Sequence, residues 1–322
     1  MNILQRIAFD VTRKLLITLT GSGADRSKLM NNFHHKLSYR LHRKLSLFGL
    51  SGETRVTLTG LPGRTLRMRA EDGGVAHQFL VYGRYEPFES GLVMRMILPG
   101  MTVLNVGANI GYYTLLASIA SGELGRVIAF EPSRENFELL CKNIADNHLR
   151  NVLARNAAVA EVKGILNLFL SSSNSGDHQI YSGQGETRTA QEVDAVTLDE
   201  FCLDEGLMPD VLIIDVQGAE FKVLQGLSNY LRADTRKPIV MLMEFGPRNL
   251  RQAGDSPEAL LAFLNDLGLE MLVIDEAQKR LYRMTAGELL ASTYGYAEKN
   301  LLVYDKRERE PLLSRLAQSI PD

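Results

Sequence analysis

Short apolar segments alternate with helical segments over most of this chain, and this alternation constrains the fold more than any other feature of the sequence. The pattern predicts seven strands, at Met101–Val106, Val127–Phe130, Val152–Ala158, Val211–Asp215, Ile239–Glu244, Met271–Ile274 and Leu301–Tyr304. Strands that are apolar throughout and separated by helices are typical of a mostly parallel sheet with helices on both faces. Ligands of such α/β sheets bind beyond the carboxyl ends of the strands. The residues that follow the strands are therefore the first candidates for a functional site.

The residues before this alternation form an extension. Alternating residues at 54–59 and 65–69 flank a Pro-Gly turn and predict a β-hairpin. Residues 3–19 place apolar side chains at helical spacing, and residues 1–50 carry nine lysines and arginines against two aspartates. We favour a helix that packs on the body or on the second subunit of a homodimer, but it could also lie on an anionic membrane surface. We divide the chain into this extension (1–79), an α/β domain (80–306) and a tail (307–322).

Composition excludes several classes of protein. The whole chain has a net charge of −2, so no overall positive field favours nucleic acid. No segment reaches the roughly 18 apolar residues that a membrane-spanning helix needs, and charged residues interrupt the apolar N-terminus, which is atypical of a signal peptide. Two cysteines, Cys141 and Cys202, are too few for a disulfide scaffold. We therefore expect a cytoplasmic protein, with membrane association left open.

A glycine-rich turn follows the first predicted strand in the segment Asn105–Thr114 (NVGANIGYYT). Gly107 and Gly111 allow the backbone to turn sharply and to approach a ligand closely, and the first amides of the following helix favour an anionic group. Asn109 stands where a dinucleotide-binding motif has the glycine that admits a pyrophosphate, which argues against NAD. Glu131 ends the second strand, where a carboxylate can accept hydrogen bonds from a ribose diol.

Three segments in this order resemble the FkbM-type family of S-adenosylmethionine-dependent methyltransferases: Asn105–Thr114, Ala129–Ile144 (AFEPSRENFELLCKNI) and Leu212–Gly226 (LIIDVQGAEFKVLQG). The resemblance covers about residues 80–245 and implies a class I methyltransferase fold, which is a Rossmann-like α/β architecture with a seven-strand sheet. It also implies that the glycine turn holds the methionine end of the cofactor, that Glu131 holds the ribose hydroxyls, and that the end of the third strand lies beside the adenine. The cofactor-binding residues implied in this way are Glu86, Asn105, Gly107, Ala108, Asn109, Gly111, Tyr112, Tyr113, Thr114, Glu131, Pro132, Asn136, Asn156, Ala157, Ala158 and Asp215.

Two residues depart from the family's usual pattern. Asn105 stands where the family often has Asp, and Gln217 stands where it often has Glu. Asn105 can still orient the glycine turn but has no charge to attract the ammonium group of the cofactor. Gln217 removes a carboxylate beside the expected reaction centre, which weakens any role for this position as a base. Asp215, at the end of the fourth strand, is retained.

The sequence offers three candidates for a catalytic base. Positioning accelerates methyl transfer, and a base assists transfer to a hydroxyl by taking its proton. Asp215, Glu244 and His178 could each act in this way. His178 lies in a polar insertion, residues 171–190, which we expect to be a lid over the acceptor, although a disordered surface loop fits its composition almost as well. Asp215 has no partner at ligand spacing in the sequence, so no metal is predicted.

The resemblance implies O-methylation of a hydroxyl on a sugar or glycan, a glycolipid or a secondary metabolite, with S-adenosylhomocysteine as product. We expect a small-molecule, glycan or lipid-linked acceptor, and the basic N-terminal segment slightly favours an acceptor handled at the cytoplasmic membrane face. No nucleic-acid partner is expected, because aromatic residues are not interleaved with the basic ones in residues 1–50. The alternatives are a nucleic-acid or protein methyltransferase and a non-catalytic cofactor-binding module with the same fold.

Overall fold

A computed structural model describes residues 52–317 of the protein, except residues 75, 173, 183–187, 294 and 296. The predicted helix at residues 3–19, with its membrane and dimer contacts, lies outside the described residues. So does the end of the predicted tail, beyond residue 317. None of the helices in the described part of the chain is long and apolar enough to cross a membrane.

The chain divides into two compact units, and the first contains the predicted hairpin. Its described residues are 52–86 and most of the segment 172–177. Strands β1 (Glu53–Thr57) and β2 (Thr65–Arg69) pair antiparallel with Val56 opposite Leu66, and helix α1 (Ala76–Tyr82) follows them. The segment 172–177 joins this unit because Asp72 accepts hydrogen bonds from the backbone and hydroxyl of Ser175. Part of the polar insertion is thereby tied to the N-terminal unit.

The second unit contains residues 87–171 and 178–317, and its elements occur in the following order. They are α2 (Pro87–Met96), β3 (Thr102–Val106), α3 (Tyr112–Ser121), β4 (Arg126–Phe130), α4 (Arg134–Asp146), β5 (Val152–Arg155), β6 (Ala158–Val159), β7 (Gly164–Leu170), β8 (Thr189–Val196), α5 (Leu198–Asp204), β9 (Val211–Ile214), α6 (Glu220–Gln225), α7 (Ser228–Arg232), β10 (Val240–Phe245), α8 (Pro247–Gln252), α9 (Pro257–Asp266), β11 (Leu269–Asp275), β12 (Arg280–Tyr282), α10 (Ala286–Ser292), β13 (Lys299–Asp305), a 3-10 turn (Lys306–Glu308) and α11 (Arg309–Leu316).

Eight strands form the main sheet, in the order β12-β11-β13-β10-β9-β3-β4-β5. The five strands from β10 to β5 are parallel, and β13, β11 and β12 run antiparallel to their neighbours. From β3 the chain steps through β4 to β5 toward one edge, whereas from β9 it steps to β10 toward the other. Because parallel crossovers are right-handed, α3 and α4 cover one face and α6 and α7 cover the opposite face. The predicted α/β architecture is therefore confirmed, and its switch point lies between β3 and β9.

The predicted count of seven strands is wrong by one. All seven predicted strands occur in this sheet, and β12 adds an eighth by pairing with the end of β11. The two strands are joined by a tight turn in which Asp275 accepts a hydrogen bond from the backbone of Gln278 and Lys279 has a positive φ of 50°. A three-residue strand next to a charged turn carries no apolar run, so the criterion used on the sequence could not find it.

The insertion after β5 forms a sheet of its own, with the order β6-β8-β7. The predicted third strand, Val152–Ala158, ends at Arg155, and Ala158 belongs to β6 in this second sheet. Strand β8 was not predicted, because its first residues continue the polar run that reads as a loop. Within β8 the side chains of Val193 and Ala195 are buried while most of the others face solvent. Because few of its residues are apolar and buried, the strand could not be distinguished from a polar loop in the sequence.

Candidate active site at the ends of the parallel strands

The ends of β3 and β9 meet at the switch point of the main sheet. The backbone of Asp215 donates a hydrogen bond of 3.0 Å to the carbonyl of Val106. Gly107 follows with a φ of 81°, and a Cβ at this position would lie 1.8 Å from the carbonyl oxygen of Asp215. No side chain can occupy that space. The glycine predicted from the sequence is therefore required by the approach of a neighbouring strand end as well as by the turn.

The rest of the glycine turn is held by amide side chains. Asn109 has a φ of 50°, and Gly111 has a φ of 94° at the start of α3. The side-chain amide of Asn143 donates to the carbonyl of Ile110 at 2.8 Å. The amide of Asn105 donates at the same distance to the hydroxyl of Thr114.

Asn105 and Thr114 are fully buried behind this turn. Their hydrogen bond stabilises the turn, which is the role that we expected of Asn105 from the sequence. Ala108 is also buried, in a small apolar cluster with Ala129 and Leu140.

Glu131 is buried at the end of β4, with its carboxylate turned toward the glycine turn. Its two oxygens accept hydrogen bonds from the backbone of Asn109 at 2.7 Å and of Ser133 at 2.9 Å. Burial raises the pKa of Glu131 to about 7, even though these bonds and one from Asn136 act in the opposite direction. Because a carboxylate offers about four acceptor positions and these three hydrogen bonds occupy three of them, one remains for a hydroxyl donor of a ligand.

The expected adenine side is built around the carbonyl groups that follow β4. The side-chain amide of Asn156 donates to the carbonyls of Glu131 at 2.8 Å and of Pro132 at 3.0 Å. Gln191 of β8 also donates to the carbonyl of Pro132, at 3.2 Å. Ala157 and Ala158 are buried beside them. Gln191 had no signal in the sequence, because the strand that carries it was read as a loop.

Glu89 of α2 is a further acidic residue near the strand ends, and sequence reasoning missed it. It is 4% exposed and accepts hydrogen bonds of 2.6 Å from the hydroxyl of Tyr113 and from the amide of Asn300. Burial raises its pKa to about 7, and the charges of Glu276 and Asp215 add to that shift. Tyr112 lies near the same helix, with its hydroxyl 3.0 Å from that of Ser90. Nothing in the sequence connects residue 89 with residue 300.

Asp215 and Glu244, two of the three candidate bases, are brought together by Gln217. The side-chain nitrogen of Gln217 lies 2.9 Å from Oδ1 of Asp215 and 2.8 Å from Oε2 of Glu244. Carboxylates only accept hydrogen bonds, so the amide donates one hydrogen to each. Gln217 has a positive φ of 51°, which is uncommon for a residue other than glycine. The residue that departs from the family pattern is thus the bridge between the two acids.

Asp215 is exposed to water at the end of β9, although neighbouring protein atoms crowd its carboxylate. This crowding raises the pKa of Asp215, against the hydrogen bond from Gln217, which lowers it. A carboxylate that is accessible and has a raised pKa is suited to accept a proton near neutral pH.

Glu220 is a further acidic residue close enough to Asp215 to feel its charge. It is buried, with one oxygen accepting from the backbone of Gly218 at 2.9 Å and the other without a hydrogen-bond partner. Burial raises its pKa to about 7, and the nearby charge of Asp215 adds to the shift. Gly218 packs against α8, because a Cβ there would lie 2.6 Å from the carbonyl oxygen of Asn249. This contact ties the loop after β9 to the helix after β10.

His178 and Glu86 are placed on other elements. His178 precedes Gln179, which pairs with Phe169 at the end of β7, and its Nδ1 accepts a hydrogen bond of 3.1 Å from the backbone of Ser171. Glu86 is the last residue of the first unit and has a φ of 38°.

Within the described residues, no cluster of three or more histidine, cysteine, aspartate or glutamate side chains could hold a metal ion. The strand ends thus present a glycine turn, a buried carboxylate beside it, and a pair of bridged carboxylates.

A family model described as "Methyltransferase FkbM domain" matches residues 105–271, just over half of the chain. The chain belongs to the FkbM methyltransferase family. This match confirms the resemblance inferred from the three sequence segments, and S-adenosylmethionine is the cofactor of that family. The matched range begins at Asn105 and includes the glycine turn, Glu131 and the Asp215–Gln217–Glu244 group.

Three solved structures are each similar to about two thirds of this chain. A precorrin-6y C5,15-methyltransferase from Geobacter metallireducens is 14% identical, covering 69% of this chain and 88% of that one, with a TM-score of 0.37. An S-adenosylmethionine-dependent O-methyltransferase from Thermotoga maritima is 13% identical over 71% and 70%, with a TM-score of 0.37. A fibrillarin from Aeropyrum pernix, with S-adenosyl-L-methionine natively bound, is 14% identical over 68% and 74%, with a TM-score of 0.39. No curated protein matches. These values are too low to indicate which acceptor this chain methylates.

Proposed function

We propose that the protein transfers the methyl group of S-adenosylmethionine to a hydroxyl of a sugar or glycan, a glycolipid or a secondary metabolite. The observation that carries this proposal is the pair of carboxylates, Asp215 and Glu244, which Gln217 holds together after two adjacent parallel strands. A hydroxyl is a poor nucleophile until a base takes its proton. An accessible carboxylate with a raised pKa can supply that base.

The residues at the strand ends suit this cofactor chemically. When bound, S-adenosylmethionine supplies an electrophilic methyl group on a positively charged sulfur. Asp215, Glu89 and Glu131 place carboxylates around the strand ends, and negative charge favours a cationic ligand. Glu131 would accept a hydrogen bond from a ribose hydroxyl through its remaining acceptor position. The turn from Gly107 to Gly111 would hold the methionine end against backbone amides.

Asp215 is a better candidate for the base than His178. In a neutral imidazole one ring nitrogen carries the proton and the other accepts. Nδ1 of His178 already accepts from Ser171, so its proton resides on Nε2. To act as a base, His178 would have to give up that hydrogen bond. Asp215 needs no such rearrangement, because Gln217 donates to Oδ1 and the carboxylate keeps further acceptor positions.

A kinetic comparison of three variants tests this assignment. The acceptor is first sought by incubating the protein with S-adenosylmethionine carrying a labelled methyl group and a panel of sugars, glycosides and glycolipids, with methyl ethers detected by mass spectrometry. We expect Asp215→Asn to lower kcat by about 10²–10⁴ while the affinity for S-adenosylhomocysteine stays nearly unchanged. His178→Ala should keep most of its turnover.

The matched control is Asp194→Asn, which removes an exposed carboxylate on β8. Full turnover by Asp215→Asn would refute the base role. Methylation of a nitrogen or a carbon in place of an oxygen would refute the O-methyltransferase assignment. Binding of S-adenosylhomocysteine by the wild-type protein without methylation of any acceptor in the panel would favour the non-catalytic cofactor-binding module.

A further inference from the structure

A cavity of about 720 Å³ lies beside α8, on the side of the main sheet where β10 ends. Its described lining comes from three parts of the second unit. These are Ser182 of the insertion, three residues of α8 and the end of α10 with the residues after it. The full set is Ser182, Arg248, Arg251, Gln252, Leu290, Thr293 and Gly295.

The position of α8 connects this cavity to the candidate active site. Helix α8 begins two residues after β10 ends, and Glu244 is the second-last residue of that strand. Asn249 of α8 packs against Gly218, so the helix is fixed to the loop that carries Asp215 and Gln217. Ser182 follows His178 in the insertion that we expect to cover the acceptor. The cavity is therefore lined by the helix that directly follows the strand carrying Glu244.

The charge of the cavity is opposite to that of the strand ends. Its described lining contains two guanidinium groups and no carboxylate, whereas the strand ends bring together Asp215, Glu244 and Glu89. Arg248, Arg251 and Gln252 are spaced i, i+3 and i+4, which places them on one face of the helix. Guanidinium groups match the geometry of phosphate and carboxylate oxygens through paired N–H donors.

Arg251 already forms an ion pair with Glu258, but this ion pair does not prevent a ligand from binding to Arg251. The bond joins Nη2 of Arg251 to Oε1 of Glu258 at 2.7 Å, and both side chains are 55% exposed. An ion pair with this exposure contributes only about 0–1 kcal/mol. A ligand with an oxyanion can therefore compete for Arg251 at little cost.

We propose that this cavity binds an oxyanion of the methyl acceptor, so that the acceptor is an acidic saccharide or a sugar phosphate and not a neutral sugar. This inference rests on the proposed function, because it assigns the acceptor class of the same site. The anionic group would lie between Arg248 and Arg251, with the hydroxyl of Ser182 and the amide of Gln252 as further donors. The reacting hydroxyl would extend toward Asp215 and Glu244, which would repel an anion placed there directly.

Binding of small probes tests this without any methyl transfer. Glucuronic acid, glucose 1-phosphate and glucose are titrated into the full chain by NMR, and S-adenosylhomocysteine is titrated in parallel. We expect one or both anionic probes to bind at least about tenfold more tightly than glucose. Arg248→Gln and Arg251→Gln should each weaken the anionic probe by about tenfold, as expected for a lost hydrogen bond to a charged group. The preference between the two anions identifies carboxylate or phosphate as the source.

Two further variants complete the test, one as a control and one that removes the competing ion pair of Arg251. Arg280→Gln removes an arginine that is 62% exposed on β12 and outside the described lining of the cavity, and it should leave the affinity unchanged. Glu258→Gln removes the competitor of Arg251 and should raise the affinity for the anionic probe by up to about fivefold. Equal binding of glucose and the anions, no binding of either anion, or no effect of the α8 arginines would overturn the inference. If S-adenosylhomocysteine still binds in that case, the proposed function stands and only the acceptor class is wrong.

Discussion

Replacing Gln217 by Glu tests whether this residue separates two carboxylates. The substitution preserves the shape of the side chain but turns its donor nitrogen into an oxygen. That oxygen would face Oδ1 of Asp215 and Oε2 of Glu244 at about the present distances of 2.9 and 2.8 Å. Two hydrogen bonds are lost, and two contacts between like charges replace them.

The magnitude follows from these contacts. A hydrogen bond to a charged group contributes about 1.5–3 kcal/mol, but the bond to Asp215 contributes only about 0.5–1.5 kcal/mol, as an ordinary hydrogen bond does, because that residue is exposed. We therefore expect Gln217→Glu to lose about 2–4 kcal/mol in the free energy of unfolding when the introduced carboxyl is ionised. For a chain of this size, that corresponds to a fall of roughly 3–6 °C in Tm.

The loss should depend on pH in a definite direction. Repulsion raises the pKa of the new carboxyl in the folded state, so it binds a proton more readily there than in the unfolded chain. Stability is then lost as the pH rises through that pKa. Differential scanning fluorimetry between pH 5 and 8 should show a larger Tm difference from the wild type at pH 8. Mg²⁺ should restore part of the loss, because it binds carboxylate oxygens.

The matched control is Gln225→Glu, which adds the same charge at an exposed position at the end of α6. Its Tm should follow the wild type at every pH. Equal Tm values for Gln217→Glu and the wild type from pH 5 to 8 would refute the bridging role. The assay needs neither the acceptor nor the cofactor.

Three further predictions concern buried groups at the same strand ends. The affinity for S-adenosylhomocysteine should fall about tenfold from pH 8 to pH 6, because Glu131, with a pKa of about 7, must be ionised to accept the ribose hydrogen bond. Calorimetry should show that Glu131→Gln binds weakly at both pH values, and a flat wild-type profile would contradict this. Glu220→Gln should match the wild type near pH 5 but be more stable at pH 8, by up to about 3 kcal/mol. The reason is that burial raises the pKa of Glu220 to about 7, so ionising it costs stability as the pH rises. Chemical denaturation at the two pH values measures this, and equal stability at both would count against it. Gly107→Ala should lose far more stability than Gly254→Ala, since both glycines have a positive φ but only Gly107 faces another backbone, whereas nothing lies within 4 Å of Gly254. Similar Tm values for the two variants would show that the Asp215 contact does not constrain the turn.

The sequence predicted the main sheet well because its strands are apolar throughout. Leu104, Ile128 and Leu212 are completely buried in the centre of that sheet. A parallel strand that is buried on both faces has an almost continuously apolar sequence, which is easy to recognise. Strand β8 failed the same criterion because its residues are half exposed. Strand β12 failed it because three residues are too few to show a pattern.

The candidate site divides in a similar way. Gly107, Glu131 and Asp215 were predictable because each directly follows a recognisable strand. Glu89 was not, because it lies within a helix and acquires its partners from Tyr113 and from Asn300, more than two hundred residues away. Gln217 was noticed as a departure from a family pattern, but its function as a bridge depends on Glu244, which a different strand supplies. Contacts of this kind arise from the topology of the sheet and leave no trace in local spacing.

The cofactor turn and the acceptor side share one junction, and this affects how substitutions there must be interpreted. Asp215 donates its backbone hydrogen to Val106, and its carbonyl fills the space beside Gly107. The turn from Gly107 to Gly111 therefore cannot shift without moving Asp215, which in turn carries the hydrogen bond from Gln217. A change in the turn that weakens cofactor binding should for this reason also displace the carboxylate pair. A parallel loss of affinity and kcat in such a variant is the expected result of this geometry, and it does not show that the altered residue takes part in the chemistry.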